Sequence, residues 1–400
     1  MSQLKVDTIR HTGASSDAIT LAADGTAAIG KCTAKVTNNL SNRNLIINGA
    51  CQIAQRGTTA TENSVGTVDR FRLEYTGINN HSDQAQVDVT SNDSGPFEKG
   101  FRKAFRVTNG DQNAGADAGD LSSTQYTIEA YDLASSGWLC TDPNSKLTFS
   151  FWVKSSVAGT FYGYLYIADG GGDSFSFSTG ALSADTWKYV TVTIPGHADL
   201  AVNQDNGAGM TIYLQHYMGT DRTTSGHTLG AWQSWDSSNR TPDFSESTWW
   251  TTDNAQFETT GWQLEVGDVA TDFEHRSYHT ELLNCQRYFY NIKGDQYDSA
   301  GILGYALSST ELRLKVDFPV PMREMPTYVG NAWDCKFKAN NTSGTLHWTN
   351  LSMINPNTVV NPSKTMMKCV TGSSLSVTAG ECGDMEFHED GGELTFSADL

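Results

Sequence analysis

The sequence is poor in positive charge, in proline and in long apolar runs. Its 27 lysines and arginines face 45 aspartates and glutamates, a formal net charge of −18. A chain this acidic offers no basic surface to a phosphate backbone and is repelled by anionic lipid, which excludes nucleic acid as the main partner. No apolar stretch approaches the roughly 20 residues that cross a bilayer. The opening MSQLKVDTIR lacks the apolar core of a signal peptide, so a soluble chain without membrane insertion is expected. The seven cysteines (Cys32, Cys51, Cys140, Cys285, Cys335, Cys369, Cys382) are odd in number, scattered, and form no C-x-x-C pair. That spacing excludes thiol-metal and dithiol-redox motifs, and a chain this long is no small disulfide scaffold. Free thiols made in a reducing cytoplasm are expected. G-x-S-x-G, H-E-x-x-H, the P-loop and the dinucleotide fingerprint are missing too. The expectation is therefore not an enzyme. A pair of carboxylates for glycoside cleavage stays open, since sequence does not show their separation.

What is present is turn-rich and β-patterned. Hydrophobic residues make up 38%, mean hydropathy is −0.41, and 37 glycines accompany only 9 prolines, a polar but ordered composition. At 400 residues there is room for roughly two or three domains. Residues 1–43 hold LKVDTI, DAITL and TAAIG between polar turns, close to the ~40-residue size below which a domain rarely folds unaided. This segment is expected to need a partner or further copies of itself, or else to be a disordered tail when the chain is free. Residues 44–277 read as one large all-β domain. KLTFSFWVKS (146–155), TFYGYLYIA (160–168), DSFSFSTG (173–180), WKYVTVTI (187–194) and MTIYLQHYM (210–218) alternate or are rich in aromatic and β-branched residues. ADGGGD between two of them is a hairpin signal, and no helical stretch is expected among these strands. Strands this numerous indicate a sandwich or jelly roll. Residues 291–400 form a second, smaller β-rich, sandwich-like unit with strands in 311–321, 344–354, 365–372 and 392–400, and turns at NNTSG and NPNTVVNPS. The stretch from Glu381 to Asp399 is acidic and reads as a solvated face, with a divalent cation or receptor contact as the alternative.

Between the two β units lies a joint. In 261–290, Gln263, Glu265 and Val269 read as one strand running into a turn at Gly267 and Asp268. From Ser277 the period becomes helical, with Leu282, Cys285 and Phe289 on one stripe and Glu281 near the helix start. A connecting helix over 278–290 is expected, its apolar stripe offering a surface for self-association.

The same stretch resembles the closing segment of phage tail-fibre and related virion proteins. The matching residues are QLEVG at 263–267, ATDFE at 270–274 and CQRY at 285–288. NLIINGACQIAQRGTT at 44–59 and VDRF at 68–71 resemble the family's opening, and FPVPMREMPT at 318–327 a segment that follows the helix. Departures are His275, where a second basic residue is expected, and Asp272, where proline is common. The resemblance implies a virion appendage with a jelly roll like those of carbohydrate-binding modules. Residues 1–43 would then anchor it to other virion proteins, a homotrimer is the usual state, and host cell-surface polysaccharide is the expected target. The place of action would be the virion, assembled in the host cytoplasm. Head or collar decoration without glycan binding, and a polysaccharide depolymerase, are the alternatives.

The region 219–260 is the part a core does not explain. Trp232, Trp235, Trp249 and Trp250 lie among turn residues, with Asp236, Asn239, Arg240 and Asp243 nearby. Aromatic faces stack on sugar C–H surfaces while carboxylates, amides and guanidiniums bond the hydroxyls. Trp232, Trp235, Trp249, Trp250, Asp236 and Arg240 are thus the candidate glycan-binding residues, the alternative being tryptophans that pin a long loop to the sandwich. No catalytic residue and no cofactor is expected. Asp169 and Asp173, flanking three glycines, could hold Ca²⁺, and His275 and His279 have the i, i+4 spacing of a metal pair without a third ligand.

Overall fold

The computed structural model describes residues 8–9, 19–21, 27–28, 42–61, 63–77, 82–110, 115–244, 248–328, 335–340, 346–350, 364–370, 377–387 and 390–400. The chain divides into two compact units, Met1–Asn42 and Arg43–Leu400. In the first, each apolar run contributes one short strand. β1 (Thr8–Ile9), β2 (Ile19–Leu21) and β3 (Ala27–Ala28) form an antiparallel sheet in that order.

Among its described residues the second unit has two large hydrophobic cores and a small cluster of Val89, Ala104 and Trp187. The larger lies between two six-stranded antiparallel sheets built from β4 (Thr59–Ala60), β5 (Arg72–Thr76), β6 (Asp83–Asp88), β7 (Lys103–Thr108), β8 (Leu121–Glu129), β9 (Lys146–Ser155), β10 (Gly159–Ile167), β11 (Asp173–Leu182), β12 (Lys188–Pro195), β13 (Ala208–Met218), β14 (Trp232–Ser234) and β15 (Gln256–Val266). One sheet runs β14-β11-β10-β13-β8-β5, the other β12-β9-β15-β7-β6-β4. The all-β sandwich is the expected fold, and alternation is its cause. Leu147, Phe149, Phe151 and Val153 of β9 face Phe161, Leu165 and Ile167 of β10 across a core centred on Trp262, while the intervening residues face outward. The rings of Phe71, Phe149 and Phe151 stand 5.2, 5.1 and 5.9 Å from that of Trp262. ADGGGD makes the β10–β11 hairpin as its glycines suggest, pairing Ile167 with Asp173. Where no helical stretch was expected, α1 (Ala130–Ser135), a six-residue helix, follows β8 directly and buries Ala130 and Leu133.

His216 is a buried titratable side chain beside this core. His216 on β13 faces inward, its Nδ1 2.9 Å from the Ser122 hydroxyl and its Nε2 3.0 Å from that of Thr124. Burial pushes the imidazole down to about 3. The unfolded chain then takes up this proton first, so stability is full above the ordinary histidine range and is lost as pH falls from about 6.5 towards 3. Between pH 7 and 5 this amounts to about 2 kcal/mol. Buried Asp69, pushed up to about 6 by desolvation against the pull of Arg56, acts in the opposite direction over pH 6 to 4. The contrast between wild type and His216→Gln therefore isolates the histidine. Denaturant titrations at the two pH values should show the wild type losing about 2 kcal/mol more than the variant; equal losses would mean that His216 is not held neutral.

After α2 (Tyr278–Gln286) come the strands around the smaller core: β16 (Phe289–Gly294), β17 (Ser299–Ser308), β18 (Glu311–Asp317), β19 (Thr327–Tyr328), β20 (Cys335–Asn340), β21 (Leu346–Asn350), β22 (Lys364–Val370), β23 (Cys382–Phe387) and β24 (Gly392–Ser397). They form sheets β16-β24-β19 and β21-β20-β23-β17-β18-β22 around Ile302, Leu312, Leu314, Phe337, Met385 and Phe396. Residues 341–344 of NNTSG, and all of NPNTVVNPS, lie outside the described residues. The acidic stretch is not a solvated tail. β23 is an inner strand in which Met385 and Phe387 enter the core, and Glu386 bonds Lys338. Helix α2 is capped by Ser277, whose hydroxyl accepts from the Thr280 amide at 3.2 Å. It ends earlier than expected, and Phe289 opens β16. Cys285 and Phe289 are buried against their own chain and Leu282 is half-buried, so most of the stripe is spent on the fold. Val269 likewise lies beyond β15 and is exposed. Cys51, Cys140, Cys285 and Cys382 are free thiols.

The segments that resemble virion proteins converge on the seam between the two cores. Asn44 accepts from the amides of Ile46 and Leu264 and donates to the Trp262 carbonyl, all at 3.0 Å. The Asn48 side chain donates to the carbonyls of Ile53 and Asp69, and its backbone amide donates to the Glu281 carboxylate at 3.1 Å. Gln55 reaches the Phe289 carbonyl at 2.8 Å. Arg287 grips the buried Glu129 with two nitrogens at 2.6 and 3.0 Å, and the Tyr288 hydroxyl donates to the same carboxylate at 2.9 Å. These residues fix the joint in place.

Candidate functional site

The outward positions of β9, β12 and β15 form the floor of a pocket. On β9 they are Thr148, Ser150, Trp152 and Lys154, so one tryptophan stands on an otherwise polar face. β12 places Tyr189 opposite Trp152 in register, with ring centroids 5.2 Å apart at 44°. Tyr189 is 42% exposed. Trp152 is propped from beside by Trp187, Ala104 and Val89. Asp93 accepts from the Trp187 indole at 2.9 Å and from Lys154 at 3.0 Å. Partial burial pushes the Asp93 carboxyl up, but bonds from Thr90, Trp187 and Lys154 outweigh it and hold the group at about 2. Gly261 sits at a bulge in β15 with φ of +68°. A Cβ there would come within 2.7 Å of Phe101 and 3.1 Å of Trp152, so only glycine leaves the floor open.

Two loops make the walls. Gln263 and Glu265 are outward-facing yet buried, because the chain after β15 folds back onto them. Glu265 accepts from the Thr271 amide at 2.8 Å and its hydroxyl at 2.7 Å, and the Glu274 amide donates to Gln263 at 2.8 Å. The QLEVG and ATDFE segments are thus one device, a strand whose polar side holds a turn. That turn brings Phe273 and His275 against Phe101, at 4.8 and 5.2 Å, where the other wall, 98–101, begins. His275 Nε2 lies 2.8 Å from the Lys99 carbonyl, and Lys99 Nζ lies 3.5 Å from Asp272. The enclosed volume is about 600 Å³, within the ~300–1,000 Å³ typical of small-ligand sites. Aromatic rings on the floor and Glu98, Lys99, Ser150, Thr271, Asp272 and His275 around it combine a stacking surface with hydrogen-bonding groups of both signs.

The structure places the tryptophans expected to bind glycan differently. Trp232 packs on Phe175 and donates to the Pro195 carbonyl at 2.7 Å. Trp249 is 0% exposed and lies 5.2 Å from His216. Trp250 is buried beside Tyr217 and donates to the Gly115 carbonyl at 3.1 Å. Rings so enclosed have no face for a sugar, which corrects the assignment of Trp232, Trp249 and Trp250. They pin the long loop to the sandwich, the bland alternative for tryptophans among turn residues. Trp235 is half-buried over Tyr166 and Tyr164, with Arg240 4.7 Å above its ring. Asp236 is exposed and turned onto its own loop, accepting from the Ser238 amide and hydroxyl, bonds that lower its carboxyl. Asn239 bonds His227 and Asp243 bonds Thr223, so both brace the loop. Trp235, Arg240 and Asp236 lie on the sheet opposite Trp152.

Asp169 spends its carboxylate on Asn203, at 2.7 and 2.9 Å. Among the described residues no group of three or more His, Cys, Asp or Glu is placed to hold a metal ion, and no helix is long and apolar enough to cross a membrane.

No protein family's profile matches the chain, and no curated relative matches it. Among solved structures it is similar to the enzymatically active domain of tailspike protein 4 from Bacteriophage CBA120, with 11% identity over 56% of this chain and 21% of that one, and a TM-score of 0.29. It is similar to the family 11 carbohydrate-binding module of a cellulosomal cellulase from Clostridium thermocellum, with 13% identity over 55% and 98% of the two chains and a TM-score of 0.26. A xylan-binding domain from Paenibacillus barcinonensis gives 12% identity over 53% and 94%, with a TM-score of 0.25. Likeness at this level carries no inference about ligand or role.

Proposed function

We propose that the chain is a non-enzymatic, glycan-binding component of a phage virion appendage, and that the pocket over Trp152 and Tyr189 takes the sugar. The observation that carries this is the exposed Tyr189 beside the half-buried Trp152 on a polar sheet face, enclosed by two walls that supply acidic, basic and hydroxyl groups. Tyr189 is the cleaner probe because its ring is not needed by the core. Losing one stacking ring is worth on the order of 1 kcal/mol, so Tyr189→Ala should weaken binding several-fold with an unchanged melting temperature. Electrophoresis through gels containing host surface polysaccharide measures this. Equal retardation of variant and wild type would reject the pocket, and a fall in polymer viscosity on incubation would make the protein a depolymerase.

The virion part of the proposal rests on the segments at 44–59, 68–71, 263–288 and 318–327, together with the small first unit. Residues 1–43 then join the protein to the particle, and it assembles as a homotrimer. A chain lacking 1–43 should keep its thermal transition and fail to join particles; normal incorporation would place the anchor elsewhere. Light scattering from a stable monomer at micromolar concentration would remove the trimer.

A further inference from the structure

The outer face of the opposite sheet carries a smaller cleft. Phe71 and Leu73 are fully buried, so alternation turns Arg72 at the start of β5 outward, and Arg70, in the turn before the strand, reaches the same side. Both arginines line a cleft of about 240 Å³ with Gln125, Thr127, Thr211 and Tyr213. The strand register explains this grouping, since Gln125 on β8 is flanked by Arg72 on β5 and by Tyr213 on β13. The hydroxyls of Thr127 and Thr211 meet at 3.1 Å.

Arg70 is the anomaly in this group. It is 5% exposed, donates to the Thr127 carbonyl, and lies 3.5 Å from the ring centroid of Tyr288, yet its Nε has no hydrogen-bond partner. Among the described residues neither Arg70 nor Arg72 is paired with a carboxylate. Asp399 and Asp132 act on Arg70 through charge without an ion pair, and Asp399 is itself bonded to Arg56 and Ser397. A buried cation is normally paired. Arg70 also holds a φ of +75°, a left-handed backbone that a bulky side chain seldom adopts. In a chain with a net charge of −18, two guanidiniums on one cleft with no side-chain carboxylate in ion-pair contact are not a by-product of composition.

We propose that this cleft binds an acidic sugar residue of the uronate type, its carboxylate held by Arg70 and Arg72 and its ring lying toward Tyr213. A planar carboxylate matches the guanidinium fork. Tyr213 is held flat by Tyr164, with centroids 4.4 Å apart at 21°, and so presents a fixed aromatic wall. The volume lies below the usual small-ligand range, which limits the occupant to a single ring. This site stands independently of the pocket over Trp152.

Calorimetric titration of the full chain with glucuronate, glucose, acetate and sulfate tests the assignment. Glucuronate should bind saturably in the millimolar range or tighter and glucose should not. Exposed Arg72, whose replacement leaves the core untouched, should matter most clearly, with Arg72→Gln weakening glucuronate roughly tenfold. Arg70→Lys, which keeps the charge but removes the fork, should weaken it as well. Absence of saturation with glucuronate, or unchanged affinity in Arg72→Gln, would overturn the site. Acetate or sulfate binding as tightly as glucuronate would overturn the sugar-acid assignment.

Discussion

Replacing Arg287 by alanine should cost about 3–5 kcal/mol of stability, the usual loss when a buried carboxylate is stripped of its cation. Glu129 is 1% exposed, and two of its three side-chain partners are nitrogens of Arg287. Without them the Tyr288 hydroxyl alone faces the charge. Arg287 itself is a third exposed, so water reaching the gap places the loss toward the lower figure. The contact of Arg287 with the Pro321 carbonyl at 3.2 Å is lost at the same time. Equilibrium denaturation measures the change, and a loss below about 1 kcal/mol would show that the pair behaves as a surface salt bridge.

Trp249→Ala should be comparably damaging, at about 3–5 kcal/mol, because it empties a fully enclosed site beside His216. Trp235→Ala, at a half-buried ring on the surface, should cost about 1 kcal/mol. The ratio matters more than either value. Equal and small losses at both positions would mean that the 219–260 loop is loosely held, and would restore Trp249 as a candidate contact.

The strands of the sandwich were legible because their alternation is clean: 146–155 reads Leu147, Phe149, Phe151 and Val153 inward without interruption. β23 was obscured by its own chemistry. Its outward positions, Cys382, Asp384 and Glu386, read as part of an acidic run, although Met385 and Phe387 carry the inward period. The joint was visible at 261–290, but the end of its helix was not, since the spacing from Cys285 to Phe289 fits a helix as well as it fits a helix followed by a strand. At the site, composition pointed to the wrong tryptophans. A cluster of tryptophans in a loop-like stretch looks like a binding surface, yet packing a long loop onto a sheet consumes such rings first. The better signal was one tryptophan at an outward, polar-face position of an alternating strand, with a tyrosine at the matching position of β12. The walls had no local signature, because His275 and Lys99 meet across 176 residues of sequence. What the family-like segments did mark was the seam and the turn at 271–274, which builds one of those walls.

The most direct measurement is a crystal structure of the protein soaked with fragments of the host's surface polysaccharide. The proposed function predicts a sugar ring against Trp152 and Tyr189, between residues 98–101 and 270–275. Sugar seated only over Trp235 and Arg240, or an empty Trp152 pocket at saturating fragment, would contradict it.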